Sequence, residues 1–209
     1  INLNNIAKFS GGVWSALPNN GLDQTVSALA VWGNNLYVGG GFSQTADSSL
    51  MNLGNIARFD GTSWSALPHN GLNGSVSALT VFGNNLYVGG LFTETADSGV
   101  ANLNRIARFD GTNWGALANN GLSTSIGSGA VYAMAVMGSD LYVGGEFSQT
   151  ADGAVTNMVA ISRYNGANWS SLPNNGMGVG VFSTYVSAIA PVGTDLCVGG
   201  NFSRTADGS

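Results

Sequence analysis

A short apolar segment that ends in two glycines occurs four times in this chain of 209 residues. It reads LYVGGGF, LYVGGLF, LYVGGEF and LCVGGNF, and the copies begin at Leu36, Leu86, Leu141 and Leu196. A period of about 50 residues is typical of a chain that repeats one supersecondary unit, in which each unit packs on its neighbours. The fold must therefore be an array or a ring of such units.

Each repeat contains four strand signals joined by turns. In the second repeat these are NIARF, SWSAL, VSALTVF and LYVGGLF, with the turns DGT and GNN between the members of each pair. Turns of two or three residues rich in Asn, Asp and Gly are typical of β-hairpins, and helical periodicity is absent. Four antiparallel strands in about 50 residues predict one blade of a β-propeller. The predicted fold class is all-β: a propeller of four-stranded antiparallel blades, with four blade equivalents per chain and strand-exchange closure.

A tryptophan in the fourth strand and a glycine pair in the second strand form the signature of the repeat. Because glycine weakens a strand, a glycine pair indicates a close approach by another element, which we expect to be the tryptophan, or else a bulge with no specific partner. The signature residues are Trp14, Trp64, Trp114, Trp169, Gly39, Gly40, Gly89, Gly90, Gly144, Gly145, Gly199 and Gly200.

The same segments resemble the Kelch repeat. The resemblance rests on the strand ending in Gly-Gly, on the aromatic residue that follows, and on a tryptophan five residues after it, as from Phe59 to Trp64 and from Phe109 to Trp114. The chain is most similar to Kelch-like repeats of secreted bacterial proteins of unassigned function, which carry segments such as RIARFDGTNW. The resemblance covers all four repeats. It implies a propeller and an extracytoplasmic location, and it does not define a function.

The sequence repeat is out of phase with the blades. Complete blades are predicted at about 26–67, 76–117 and 131–172, whereas 186–203 has only two strands and needs 5–17 to complete it. The missing strands come either from the same chain, which closes a four-bladed ring, or from another chain or a longer parent protein. We favour self-association into an eight-bladed homodimer, because two-fold dimers are common and proteins avoid open sheet edges.

Composition excludes several classes of function. Six basic residues and a net charge of −5 do not suit nucleic acid, and no apolar run reaches the about 20 residues of a membrane span. A single cysteine, Cys197, allows no intrachain disulfide, and we expect it to be buried because tyrosine takes its place in the other repeats. A single histidine, His69, allows no histidine cluster and is expected to be solvated. We expect no catalytic residues, no metal and no cofactor. The chain begins at Ile1, as a mature form or an excerpt would.

The recurring acidic residues are interpreted as loop formers. Asp60 and Asp110 precede glycine in tight turns. The aspartate of each Thr-Ala-Asp segment is expected to cap its loop through nearby amides, or else to pair with the basic residue of the third strand; a calcium site would need six to eight oxygens. These aspartates are Asp47, Asp97, Asp152 and Asp207, and the basic residues are Lys8, Arg58, Arg108 and Arg163. Glu94 and Glu146 form no evident acid–base pair.

The long loops of all blades are expected on one face of the propeller. Repeats three and four each carry a five-residue insertion there, in LSTSIGSGAVYAM and MGVGVFSTYVSAI. Amides beside aromatic rings suit neutral sugars, although Asn-Gly also simply forms turns. The candidate ligand-binding residues are Asn20, Asn70, Asn120, Asn175, Phe182, Tyr185 and Tyr132.

The sequence therefore predicts a non-catalytic binding or structural module, with a neutral glycan or a protein as ligand on the long-loop face. The alternative is a purely architectural or engineered symmetric scaffold without a ligand, since the repeats are nearly identical. An enzyme acting on glycans is the least favoured alternative, because it would need a paired carboxylate site.

Overall fold

The computed structural model describes residues 2–124, 129–178 and 183–209, and every strand in these ranges lies in an antiparallel sheet. The strands are β1 (Ala7–Ser10), β2 (Val13–Ala16), β3 (Val26–Trp32), β4 (Asn35–Gly40), β5 (Ile56–Phe59), β6 (Trp64–Ala66), β7 (Val76–Phe82), β8 (Asn85–Gly90), β9 (Ile106–Phe109), β10 (Trp114–Ala116), β11 (Leu122–Ser123), β12 (Ala130–Met137), β13 (Asp140–Glu146), β14 (Gln149–Thr150), β15 (Ile161–Tyr164), β16 (Trp169–Ser171), β17 (Met177–Gly178), β18 (Tyr185–Val192), β19 (Asp195–Asn201) and β20 (Arg204–Thr205).

Three complete blades have the order β3-β4-β5-β6, β7-β8-β9-β10 and β12-β13-β15-β16. The first two strands and the last two strands of each blade form hairpins, as the short Asn- and Gly-rich turns predict, and a long loop connects the second strand to the third. The helical segments of the described ranges are four short 3-10 turns: Pro18–Asn20, Pro68–Asn70, Ala118–Asn120 and Pro173–Asn175. No helix in this part of the chain is long and apolar enough to cross a membrane. The predicted all-β propeller of four-stranded blades is confirmed.

The hydrophobic core lies between successive blades. One cluster combines Tyr37 and Ile56 of the first complete blade with Val88, Phe109 and Trp114 of the second, all buried. The first strands of neighbouring blades also contact each other, β3 with β7, β7 with β12, and β12 with β18. The first strand is therefore the innermost strand of each blade, and burial is gained mainly between blades.

The tryptophan of each complete blade binds the preceding blade. The indole N–H of Trp64 donates to the carbonyl of Pro18 at 3.0 Å, and Trp114 donates to Pro68 at the same distance. Trp169 makes the equivalent bond to the carbonyl of Ala118 at 3.0 Å. A buried indole needs such an acceptor, so this bond fixes the position of one blade relative to the next.

The glycine pair makes room for two different elements, neither of which is the tryptophan. A Cβ on Gly39 would clash with the side chain of Val76 in the next blade, lying 3.0 Å from its Cβ. A Cβ on Gly40 would lie 3.0 Å from the Cα of Val26, where the register of β3 shifts at a bulge. The prediction that tryptophan fills this space is wrong, because a β-branched residue of the next innermost strand is already there. The prediction of a close approach is confirmed.

The two ends of the chain form half-blades that do not join each other. Within the described residues β1 pairs only with β2, and β19 pairs only with β18. Among the described residues the two ends therefore do not pair to close a four-bladed ring. Cys197, on β19, is exposed, and the expectation that it is buried is wrong because no blade covers that strand.

The valine contact leads to a test with a matched pair of glycines in one segment. Gly39→Ala should lower the free energy of unfolding by about 1–3 kcal/mol through overpacking against Val76. Gly41→Ala should change it by less than about 1 kcal/mol, because no atom lies within 4 Å of the added methyl group. Urea unfolding at constant m-value measures both, and equal midpoints for the two variants would contradict the packing explanation.

Candidate functional site

The two long loops of each blade meet on one side of the sheets, and their joint surface is the candidate site. The backbone of Leu22 bridges to Thr45, and that of Leu72 bridges to Thr95. In the third and fourth repeats the short pairs β11–β14 and β17–β20 take the place of these bridges. The long-loop face is thus a row of interlocked loops on a rigid scaffold, the usual place for binding residues.

The aspartate of each Thr-Ala-Asp segment joins the two loops. Asp97 accepts hydrogen bonds from the Gly99 backbone N–H at 2.8 Å and from the Thr95 hydroxyl at 3.0 Å, and its second oxygen lies 3.0 Å from Nδ1 of His69 on the other loop. Asparagine takes the place of His69 in the other repeats, where the pairs are Asn19–Asp47, Asn119–Asp152 and Asn174–Asp207. The prediction that these carboxylates cap their loops is confirmed.

Ion pairs with the basic residues of the third strands do not account for these aspartates. Within the described ranges, the ion pairs are His69 with Asp97 and Arg163 with Asp140. Arg58 instead donates to the hydroxyl of Ser65 on the neighbouring strand. The alternative pairing of the Thr-Ala-Asp carboxylates with the third-strand basic residues is therefore wrong. His69 is exposed, as expected of a solvated loop residue, and it also bonds to a carboxylate.

Hydrogen bonds to the carboxylates lower the pKa of all four aspartates. The hydroxyl and then the backbone N–H of Ser49 lower the pKa of Asp47 to about 2, and the backbone N–H of Ser209 is the largest cause that lowers the pKa of Asp207 to about 2. For Asp97 and Asp152 the largest cause is the backbone N–H two residues later. A carboxylate held ionised in this way is a poor proton donor or acceptor at neutral pH.

Asp60 and Asp110 form the short turns on the opposite side of the sheets. Asp60 accepts hydrogen bonds from the backbone N–H groups of Thr62 and Ser63, both at 2.8 Å. Asp110 makes the same bonds to the two residues at the equivalent places. These bonds lower the pKa of both carboxylates. Their predicted role as turn formers is confirmed.

The predicted asparagines lie on the long-loop face, and their side chains make no hydrogen bond to any residue that the structure describes. Asn119 and Asn120 both have left-handed backbone, at φ +58° and +59°, a conformation that asparagine adopts more readily than most residues. The first amide binds Asp152, whereas the second is exposed and makes no side-chain hydrogen bond within the described residues. Turn formation therefore explains why asparagine is present. The free amides are those of Asn20, Asn70, Asn120 and Asn175.

Two of the predicted aromatic residues meet across a blade boundary. The rings of Tyr132 and Tyr185 are 5.9 Å apart in an edge-to-face arrangement at the long-loop end of β12 and β18. The register of β12 shifts between Val131 and Ala133, so Tyr132 stands at the bulge. Burial, followed by the charge of Glu146, raises the pKa of Tyr132. Phe182, the third predicted aromatic residue, lies outside the described residues.

Sequence reasoning missed two residues beside this pair. Glu146 lies near Tyr132, and its charge is the second cause that raises the pKa of this tyrosine. Arg105 occupies the position of Asn55, donates to the carbonyl of Leu122 at 3.1 Å, and has a pKa lowered by burial. An alignment of the repeats would have pointed to Arg105, because it is a charged residue at a position where the first two repeats have asparagine. These residues distinguish the third repeat from the others.

The chemistry of the described residues is that of hydrogen bonds and aromatic contacts. They include no group of three or more His, Cys, Asp and Glu side chains that could hold a metal ion. The acidic residues that recur are committed to the loop and turn contacts given above. What the face offers a ligand is a set of neutral amides with a tyrosine pair at one blade boundary.

Comparison with known proteins adds two structural similarities. No protein-family model matches the chain, and no curated protein matches it. The crystal structure of the computationally designed Ika4 protein has a TM-score of 0.48 and 15% identity, covering 89% of this chain and 90% of that one. That of the computationally designed Ika8 protein has a TM-score of 0.42 and 14% identity, covering 94% of this chain and 67% of that one. Neither similarity bears on function, and the resemblance to Kelch repeats stays a prediction.

The lowered pKa of Asp47 predicts a change in acid stability. Because the folded-state value of about 2 lies below the ordinary 3.8, this carboxylate contributes stability above about pH 4 that is lost as the pH falls towards 2. Asp47→Asn should therefore lower the free energy of unfolding at pH 6. At pH 2 the free energies of unfolding of the variant and of the unaltered chain should differ by less.

Urea unfolding at a series of pH values measures this difference. Asp195→Asn is the matched control, because Asn35 and Asn85 occupy the same hairpin position in the first two repeats. At pH 6 the free energy of unfolding of the control should be close to that of the unaltered chain. A difference between Asp47→Asn and the unaltered chain that does not change with pH would contradict the hydrogen-bond explanation.

Proposed function

We propose that this chain is a non-catalytic structural β-propeller module, whose recurring polar residues hold loops and blades together and bind no ligand of their own. One observation carries the proposal: the same contacts occur in repeat after repeat. Each complete blade has the tryptophan bond to the preceding blade, and each long-loop pair has the bond from Asn or His to aspartate. A catalytic centre, in contrast, brings different groups together at one place.

The environment of the recurring carboxylates supports a role in architecture. Each of the four Thr-Ala-Asp carboxylates accepts a hydrogen bond from the hydroxyl of the threonine two residues before it, at 2.8–3.0 Å, so these four carboxylates serve to hold their loops. We also propose an extracytoplasmic location, supported by the resemblance to the Kelch-like repeats of secreted proteins alone. The module would work through its shape and its place in a larger assembly.

The structural function is tested by comparing equivalent positions in two repeats. Asp97→Ala and Asp152→Ala should lower the melting temperature by similar amounts, because each removes the same bonds from a backbone N–H and from a threonine hydroxyl. An array of neutral oligosaccharides should show no binding by the unaltered chain. Sugar binding above the background of a denatured sample would overturn the proposal that the module has no ligand.

A second candidate function is the binding of a neutral glycan, or of a protein, at the long-loop face. It is favoured by the free amides and by the contact between Tyr132 and Tyr185, since amides bind hydroxyl groups and ring faces cover the apolar side of a sugar. The tyrosine pair is confined to one blade boundary. The ligand would therefore lie against the third and fourth repeats rather than equally on all.

If the array shows a bound sugar, two variants decide whether the long-loop face binds it. Tyr185→Ala removes one ring of the pair and should abolish binding. Asn113→Ser is the matched control, because Asn113 lies in a short turn on the opposite side and the second repeat has Ser63 there. Equal loss of binding in both variants, or no loss in either, would overturn this candidate.

A further inference from the structure

The half-blade β1–β2 exposes aromatic side chains that are buried in complete blades. Phe9 is 59% exposed, whereas its counterpart Phe109 is 2% exposed. Trp14 is 56% exposed, whereas Trp114 is 6% exposed. The two half-blades therefore lack the neighbours that every complete blade has.

The free edges of β1 and β19 carry complementary backbone groups. In complete blades, a backbone N–H at the end of the second strand donates to the carbonyl of the residue just before the third strand. Gly40 donates to Asn55 at 3.0 Å, and Gly90 donates to Arg105 at 2.9 Å. The equivalent donor and acceptor in the half-blades are the N–H of Gly200 and the carbonyl of Asn5. Neither forms this bond within the described part of the chain. Each half-blade thus presents the edge that the other one lacks.

Side-chain contacts between blades are also vacant at the two ends. A Cβ on Gly39 or Gly89 would clash with a valine of the next blade, whereas a Cβ on Gly199 would meet only Ala188, at 3.8 Å. Val26, at the start of β3, holds the same place in its blade as Val76 does, so it is the valine that would pack on Gly199. The indole N–H of Trp14 likewise has no acceptor within the described residues. The carbonyl that corresponds to the acceptors of the other three tryptophans is that of Pro173.

An apolar pocket marks the place where another strand fits. It has a volume of about 410 Å³ beside β1 and is lined by Leu29, Val31 and Phe59, among others. Leu29 is 55% and Val31 is 70% exposed, whereas their counterparts Leu79 and Val81 pack on the cluster that contains Tyr37 of the preceding second strand. The pocket therefore lies where the second strand of a preceding blade would pack. Among the second strands of the described blades, β19 is the one whose outer edge is free.

We infer that β1 of one copy of this chain pairs antiparallel with β19 of a second copy, and that the reciprocal pairing closes a ring of eight blades. The register of complete blades places Leu196 opposite Phe9, Cys197 opposite Lys8, Val198 opposite Ala7 and Gly199 opposite Ile6. The inference rests on the proposed structural function, because it names what the module assembles with.

A second copy, rather than the other end of the same chain, is the occupant that the structure favours. Both half-blades belong to one chain, yet within the described ranges β19 and β1 do not pair with each other, while the three internal blades are complete. Two copies related by a two-fold axis satisfy both edges at once and leave no open sheet edge. Val26 and Trp14 then reach Gly199 and Pro173 of the other copy.

The pairing is tested with a cysteine that reports the register. Cys197 and Lys8 correspond to Tyr37 and Arg58, a pair that makes no ladder hydrogen bonds, so its Cα atoms should lie about 4.5 Å apart, within the range of a disulfide. Light scattering across a dilution series should give twice the chain mass of 21.3 kDa for the unaltered chain. Oxidised Lys8→Cys should run as a covalent dimer, with a linkage between positions 8 and 197 found by mass spectrometry.

Matched variants keep this test specific. Phe9→Cys places the thiol on the opposite face of β1 and should not form the linkage, and neither should Lys8→Cys combined with Cys197→Ser. Val198→Pro removes an N–H that faces the free edge of β19, so it should give a monomer that unfolds in one transition.

Three outcomes would overturn the inference. These are a monomeric mass with no linkage, a linkage of 8 to 197 within one chain, and open polymers longer than two copies. A sugar found by the array would overturn the structural function and leave the mass and the linkage unchanged, so the two failures are distinguishable.

Discussion

The contact between a glycine of one blade and a valine of the next is the constraint on which the rest of the structure depends. Val76 fills the space left by Gly39, and Val131 fills that left by Gly89, so adjacent sheets approach closely only because the second strand has no side chain there. This approach positions the tryptophan to donate to the preceding blade and buries the clusters between blades. Burial of such apolar surface is the main stabilising term, so a blade is stable only beside another blade.

Residues that recur in every repeat and residues that occur once have different roles in this molecule. Most of the recurring ones close turns, cap loops or connect blades through polar atoms that are bound within the chain, and the exposed amides of Asn20, Asn70, Asn120 and Asn175 are the exception. The unique ones are Tyr132, Tyr185 and Glu146, which lie where β12 and β18 meet, and Arg105, which bonds to the loop that leads to β12. Any property that is confined to one place on the long-loop face would have to depend on this second group, because the members of the first group occur in every repeat.

Local features could be predicted from the sequence, and contacts between repeats could not. The hairpin turns, the strands and the capping role of Asp60 follow from interactions over two or three residues, which residue type determines. The partner of Gly39 lies in the next repeat, so an alignment of repeats shows that space is needed but not which side chain fills it. The orientation of Tyr132 depends on a bulge, and a bulge shifts the alternation of side chains by one position.

The bond from Trp114 to Pro68 and the packing of Val131 on Gly89 each link a blade only to its immediate neighbour. No contact of this kind depends on how many blades the ring contains. Duplication or loss of one whole repeat would therefore preserve every type of blade-to-blade contact and change only the curvature of the ring. A gene for such a chain can grow or shrink in steps of one repeat while the protein stays foldable, so ring size is open to evolution even though each blade is tightly specified.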